Sequence, residues 1–400
     1  MNNNISNLYM ISKKQKRNII GLMSGTSVDG LDVCLCSFTG SGMETNLILE
    51  NFETVVYEDE YKSEIFSVFS KKEVNLEKLC LLNGWVARYH AQIILDCLKK
   101  WNIQTDEIDL IASHGQTIFH APESLHGIKK FGNATLQIGD GDHLAHKTGI
   151  ITLSDFRQKH IAAGGEGAPL AAYGDILLFL DEKENRIMLN IGGIANFTFL
   201  PGKKNPDEVF CTDTGPGNTI MDSYIQKYYP GKFYDDNAAI ASKGTIHEAL
   251  LKTLKINSFF NQPFPKTTGP ELFNLNYLKN AQNISQTENL SGEDIMATLN
   301  RFSADTICLA IKECSLAYKN VHCFLSGGGM HNPLLRKNIE SQLPGFSFSS
   351  TSELHINPDA KEALLFAILA NESIYGTGGY FGKNRKGIPA VSMGKISFPY

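Results

Sequence analysis

Apolar and polar positions fall in blocks along this chain, and the blocks predict a repeated α/β plan. From Ile19 to Phe38 an apolar run reaches Met23 and breaks into Ser24-Gly25-Thr26-Ser27. It passes Asp29, Gly30 and Asp32, then resumes at Val33. That pattern predicts strand, polar tip, strand. Residues 46–57, rich in β-branched and aromatic side chains, predict a third strand. Between 75 and 101, apolar residues such as Leu79, Leu82, Val86, Tyr89, Ile93 and Cys97 recur at helical spacing. Residues 108–113 read as a short buried strand, and 147–155 as another leaving a glycine turn.

The pattern then restarts. Residues 185–200 again read as strand, glycine-containing tip, strand. Residues 207–228 read as strand, glycine turn, helix, and 293–317 as a long helix. Residues 321–332 read as strand, three glycines and a helix start, and 359–372 as a last amphipathic helix. Glycine- and proline-rich stretches at 263–270 and 376–382 read as loops. The doubled hairpin predicts two similar α/β domains, each a mixed β-sheet with helices, around a central cleft. The expected boundaries are 1–150 and 151–375, with 376–400 returning to the first domain.

Composition narrows the class. The chain has 400 residues, a net charge of −5 and 42% hydrophobic residues. Two domains suit that length, and the charge gives no support for a nucleic-acid partner. No apolar stretch approaches the ~18 residues of a membrane span. The basic run Lys13-Lys14-Gln15-Lys16-Arg17 reads as a solvated tail. Eight scattered cysteines form no C-x-x-C pair, so they read as free, mostly buried thiols of a reducing, cytoplasmic compartment.

Four turns share a chemistry: Ser24 to Ser27, Gly192-Gly193, Thr214 to Asn218, and Gly327-Gly328-Gly329. One such turn is ordinary punctuation between strands. Four, each after a strand-like segment, point to a polyphosphate approached by backbone N–H groups, with helix starts after Asn218 and Gly329. Neither the P-loop nor the dinucleotide fingerprint occurs. In this reading Gly25 permits close approach, Thr26 and Ser27 donate to phosphate, and Asp29 stands where a metal would sit. A tip of this kind resembles the first phosphate hairpin of the actin, hexokinase and heat-shock-chaperone ATPases.

A more specific resemblance follows from nine segments in order: GLMSGTSVDGLDV, ASHGQTIFH, LQIGDGD, SDFR…AAGGEGAPL, LNIGGIANF, DTGPGN…MD, PKTTGPELFN, SGGGMHNPLL and KEALLFAILANE. Over about residues 18–398 the chain resembles the anhydro-N-acetylmuramic acid kinases. The resemblance implies an actin/hexokinase-like ATPase fold and an enzyme that uses ATP and Mg²⁺. The implied reaction opens the 1,6-anhydro bridge of 1,6-anhydro-N-acetylmuramic acid with water and phosphorylates O6. It also implies a homodimer. A kinase of another anhydrosugar such as levoglucosan, or a non-catalytic ATP-binding module, are the alternatives.

The resemblance assigns site residues. Asp213 matches the catalytic aspartate, although a dipole-stabilised acid at a helix start would look the same. Ser24, Gly25, Thr26, Ser27, Asp29, Gly30, Gly193, Asn196, Gly215 and Gly217 fall on the phosphate side, with Asp29 the metal residue. Gly327, Gly328 and Gly329 fall on the adenosine side. His114, Gln116 and Thr117 read as sugar contacts, with a structural role equally open for His114. Glu362 matches a substrate-contacting glutamate and otherwise reads as a helix-face acid. Arg157 and Lys159 match cationic positions toward the lactyl carboxylate. Lys159, His160, Glu166 and Pro270 depart from the usual arginine, aspartate, glutamine and arginine.

Overall fold

The computed structural model describes residues 2–202, 206–354, 356–376 and 388–400. The chain divides into two compact units, Met1–Leu178 with Ala360–Tyr400, and Phe179–Asp359.

The first unit carries β1 (Lys16–Ser24), β2 (Gly30–Thr39), β3 (Asn46–Val56), β4 (Leu110–Ala121), β5 (Ala134–Ile138) and β6 (Thr152–Ser154). With the C-terminal strand Lys395–Ser397 they form one mixed sheet. Its order is C-terminal strand, β6, β4, β1, β2, β3, with β5 on β4. β1 runs antiparallel to β2 and parallel to β4. A parallel pair needs a long crossover, and the helix Leu76–Trp101 lies on that path. The Asn75 side chain caps its start, and Asn102 ends it in the left-handed conformation at φ 59°. Its Val86 and Ile94 pack with Ile20, Leu22, Val33 and Leu35 of the hairpin.

The helix Lys361–Ile374 packs directly on β1. A Cβ at Gly21 would land on the Ala363 carbonyl, so glycine sets how closely helix and strand approach. This helix was expected to be amphipathic, but Ala363 to Glu372 are all buried. A helix buried all round is a core element rather than a surface one.

The expected boundary at 150 moves for a topological reason. β6 pairs with β4 in parallel and the C-terminal strand pairs with β6, so residues 151–178 belong to the first unit. The helix Lys361–Ile374 goes with them. Within 147–155 only Thr152–Ser154 is strand, because Gly141–Thr148 is helix and Gly149 ends it. The loop expected at 376–382 lies outside the described residues beyond Gly376.

The basic run is not a solvated tail. Residues Asn3–Lys13 are helix and Lys16 begins β1. The Arg17 side chain is fully buried. Its Nε donates to Asn371 Oδ1 at 2.8 Å and its Nη2 to the Gly40 carbonyl at 2.7 Å, and it stacks 3.7 Å from the Tyr375 ring centroid. A buried guanidinium needs such partners. Here it ties the strand to the last helix.

The second unit holds β7 (Asn185–Ile191), β8 (Ile194–Leu200), β9 (Phe210–Pro216), β10 (Val321–Ser326) and β11 (Ser347–Ser350), in the order β11, β10, β7, β8, β9. The long helix Gly292–Ser315, capped by Ser291, shares a core with β7, β8 and β10. Both units are therefore mixed sheets with helices, each opening on an antiparallel hairpin. Six of the eight cysteines are buried and all eight are free, with Cys80 exposed. No described helix is long and apolar enough to cross a membrane.

Candidate active site

The β1–β2 tip sorts its side chains by position. Thr26, Ser27 and Asp29 are exposed, whereas Ser24 and Val28 are buried. Val28 takes φ 54°, a left-handed conformation that β-branched residues rarely adopt. Its buried side chain anchors the turn, and the hydroxyls and carboxylate on either side of it face out. Asp29 Oδ1 accepts from Ser27 Oγ at 2.8 Å and from the Gly30 amide at 3.0 Å. Gly30 is required for strand packing, because a Cβ there would sit 2.7 Å from the Val55 carbonyl.

Ser24 and Gln116 differ from the expectation of direct ligand contact. Ser24 Oγ donates to Gln116 Oε1 at 2.6 Å and accepts from Tyr57 OH at 2.7 Å. Gln116 is fully buried, and its Nε2 donates to the Gly25 carbonyl at 3.2 Å. Both side chains face inward and support the tip. Thr117 Oγ1 accepts from Gln137 Nε2 at 3.2 Å.

A second cluster gathers around Arg157. Its Nε donates to His114 Nε2 at 2.9 Å and its Nη1 to the Gly167 carbonyl at 2.7 Å. His114 is buried; burial first, then the Arg157 charge, holds it well below the usual histidine range and neutral. Since Nε2 accepts, the proton sits on Nδ1. His114 is thus placed as a support for Arg157. Burial lowers Arg157 to about 10, with Glu362 opposing, so it stays cationic at neutral pH. Solvent reaches Glu362, yet protein rings it. That desolvation raises its pKa, Arg157 and Lys361 pull it down, and Asp29 adds to the rise.

The unusual residues at 159–166 sort by helix geometry. In the helix Phe156–Ala162, positions 157 and 159 lie about 200° apart, so they do not share a face. Lys159 is exposed on the side away from Arg157. His160 is buried, and its Nδ1 accepts from the Gly167 amide at 2.9 Å. A Cβ at Gly165 would collide with that imidazole, so histidine and glycine fit together there. His160 thereby braces the loop whose Gly167 carbonyl holds Arg157. Glu166 is half-buried and Pro270 is exposed, with the Pro270 carbonyl taken by Asn274 Nδ2 at 3.0 Å.

In the second unit two of the glycine turns fold onto each other. The amides of Gly217, Asn218 and Thr219 donate to the Gly193, Gly192 and Gly193 carbonyls at 2.8, 2.9 and 3.0 Å. A Cβ at Gly217 would strike the Gly192 carbonyl. The Gly217 amide was expected to face phosphate; instead it is consumed within the protein. Gly215, at φ 135°, packs under Phe260 and Thr306. Gly193 is exposed at the tip.

Asp213 lies on β9, half-buried, opposite Asn196 of β8. Asn196 is opposite Asn190 of β7, which is opposite Ser326 of β10. Paired residues share a face, so one polar row crosses the sheet to Asp213. The segment 264–268 fixes this carboxylate: Thr268 N donates to Asp213 Oδ2 at 2.8 Å, and Asp213 N donates to the Lys266 carbonyl at 2.9 Å. Gly327, at φ 79°, and Gly329 lie against β7, where side chains would collide with Asn190 and Ile191. Beside Gly328 opens a cavity of about 410 Å³, lined by Asn218, Met221, Asp222, Tyr234, His331 and Asn332. Burial raises Asp222 to about 6.

The sequence reading did not single out Asn190, Asp222, Thr268, Tyr57 or His90. Asn190 had a visible signal, a polar residue inside the apolar run of β7. His90 lies four residues from both Val86 and Ile94, on the apolar stripe of its helix. Thr268 falls within the segment PKTTGPELFN, but nothing in that segment shows that it reaches Asp213 from 55 residues away.

A sequence model of the family described as anhydro-N-acetylmuramic acid kinase matches residues 17–398. Similar curated proteins bear the same name. One from Pseudoalteromonas atlantica is 56% identical over 400 residues, covering all of both chains. One from Pseudoalteromonas translucida is 52% identical, again over both full lengths. One from Caldanaerobacter subterraneus is 37% identical over 98% of this chain and 99% of that one.

Proposed function

The chain belongs to the anhydro-N-acetylmuramic acid kinase family, and from that membership we propose how its residues perform the reaction. Water attacks C1 of 1,6-anhydro-N-acetylmuramic acid and Asp213 takes its proton. The C1–O6 bond breaks through a state with oxocarbenium character. O6 leaves C1 and receives the γ-phosphoryl group of ATP, giving N-acetylmuramate 6-phosphate and ADP. Because phosphoryl transfer captures the leaving oxygen, no separate general acid is required. The product belongs to cell-wall recycling.

The observation that carries this reading is the placement of Asp213. Its carboxylate is held by the Thr268 amide in the middle of β9, three residues before that strand gives way to a glycine turn. The exposed Thr26 hydroxyl donates to phosphate, the Ser27 hydroxyl turns from Asp29 to do the same, and Asn196 and Gly193 are assigned to the nucleotide. The cavity beside Gly328 takes the nucleoside. Arg157 meets the lactyl carboxylate and Glu362 a sugar hydroxyl, while His114 and Gln116 act by holding Arg157 and the tip.

Asp29 is suited to Mg²⁺. No group of three or more acidic, histidine or cysteine ligands occurs among the described residues. Mg²⁺ is commonly held by one or two carboxylates, phosphate oxygens and water, which asks no more than a tip aspartate. When bound, the ion would neutralise charge on the transferring phosphate.

Mass spectrometry after incubation with Mg²⁺-ATP and the anhydro sugar in ¹⁸O-water tests the reading, with levoglucosan in parallel. A 6-phosphorylated muramic product bearing ¹⁸O at C1 is expected. Phosphorylated levoglucosan with no muramic product would overturn the substrate assignment, and neither product would overturn the enzymatic one.

A further inference from the structure

Beneath the β1–β2 tip lies a buried polar relay that runs from the helix Leu76–Trp101 to the Gly25 carbonyl. His90, Tyr57, Tyr61, Ser24 and Gln116 are each at most 2% exposed. His90 Nε2 stands 2.9 Å from Tyr57 OH and 3.0 Å from Tyr61 OH. The relay continues through Tyr57 OH to Ser24 Oγ at 2.7 Å, Ser24 Oγ to Gln116 Oε1 at 2.6 Å, and Gln116 Nε2 to the Gly25 carbonyl at 3.2 Å.

Its polarity is fixed from the far end. Gln116 Nε2 faces two carbonyls, those of Gly25 and Thr117. Carbonyls only accept, so the amino group must face them and Oε1 must face Ser24. Ser24 therefore spends its one proton on Gln116 and can only accept from Tyr57. Tyr57 then spends its proton on Ser24, so its oxygen accepts from His90 Nε2–H. This leaves His90 Nδ1 as a bare lone pair, and that atom has no partner. Burial holds His90 at about 3 and Tyr57 well above the usual phenol range. The relay is thus neutral throughout and carries orientation rather than charge.

Gly25 is the residue on which the tip turns. Its carbonyl also accepts from the Val28 amide at 3.3 Å, and Val28 is held at a positive φ. Fixing that carbonyl fixes the peptide that orients Thr26 and Ser27. We propose that Tyr57 is a positioning residue for phosphoryl transfer, acting through Ser24 and Gln116 on the Gly25–Val28 turn. Tyr61 supplies the contrast. It is as deeply buried, meets the same histidine and touches Tyr57 and Ser24, but no direct hydrogen bond joins it to Gln116 or Gly25. The inference rests on the reading of residues 25–29 as the phosphate tip.

The test compares full-length wild type with Tyr57→Phe, Ser24→Ala and Tyr61→Phe. It measures kcat, the two KM values, thermal unfolding, and amide hydrogen exchange over residues 26–28. Tyr57→Phe should lower kcat roughly tenfold, the scale of one lost buried hydrogen bond, with the sugar KM within about twofold, and it should speed exchange at the tip. Ser24→Ala should reproduce that signature if Tyr57→Phe does not fold. Tyr61→Phe should lower the unfolding temperature to a similar degree and leave kcat and tip exchange unchanged. Equal kcat and equal exchange in Tyr57→Phe and Tyr61→Phe would overturn the proposal. If wild type makes no muramic product, the reading of the function fails, and the exchange contrast still decides whether Tyr57 holds the tip.

Discussion

Asn196 and Asp213 face each other across β8 and β9, in register and on one side of the sheet. The pairing places an amide beside the carboxylate assigned as base. Because a backbone amide from residue 268 holds that carboxylate, its orientation does not depend on a ligand.

Asp213→Asn keeps an oxygen for the Thr268 amide and removes only the basic function. Product formation should fall by about 10²- to 10⁴-fold, the usual range for a general base. ATP affinity by calorimetry and the unfolding temperature should stay close to wild type. Loss of ATP binding would place Asp213 with the metal instead.

The geometry around Arg157 separates two cations that the sequence puts side by side. Arg157→Lys loses the fork that reaches His114 and the Gly167 carbonyl together. The KM for the anhydro sugar should rise roughly tenfold, in line with a lost charged hydrogen bond. Lys159→Ala should stay within about twofold. Steady-state kinetics with the sugar varied decides this, and a larger effect at 159 would move the carboxylate contact to the other face of the helix.

Asp222 makes stability depend on pH. Burial raises its pKa from the ordinary 3.8 to about 6. Between those values the folded state binds more protons than the unfolded state, so stability falls as pH rises through this window and the cost is complete above about 6. Allowing for the solvent that reaches this half-buried group, the cost is ~1 kcal/mol. Asp222→Asn should therefore unfold a few degrees higher than wild type at pH 7.5 and match it near pH 3.5. Calorimetric scans at the two pH values check the sign.

The two hairpins were legible because a glycine tip, with hydroxyls in the first, interrupts two apolar runs. The crossover helix at 76–101 was legible from its apolar stripe. β5 and β11 were not, since short strands that complete a sheet edge carry little pattern of their own. β4 runs on to Ala121 instead of stopping near 113 because it pairs with β5, a partner invisible locally. In the candidate site, composition picks out the glycine turns but not which way their atoms face. Ser24 and Thr26 have the same chemistry two residues apart, where strand alternation alone would put them on one face; the strand ends at Ser24, and the turn that follows separates a buried support from an exposed hydroxyl. Gly217 looks like an anion-binding glycine until its amide is found bonded to Gly193.

Position 21 works as a spacer gauge. The absent side chain lets a backbone carbonyl of the helix Lys361–Ile374 rest on the strand, and Glu362 stands one residue before that carbonyl. A methyl group there would have to push the helix outward, carrying the glutamate with it. A scan of substitutions should therefore find Gly21 as intolerant as any residue that touches substrate, although it reaches none. Intolerance to change along this chain marks the thickness of a contact as faithfully as it marks chemistry.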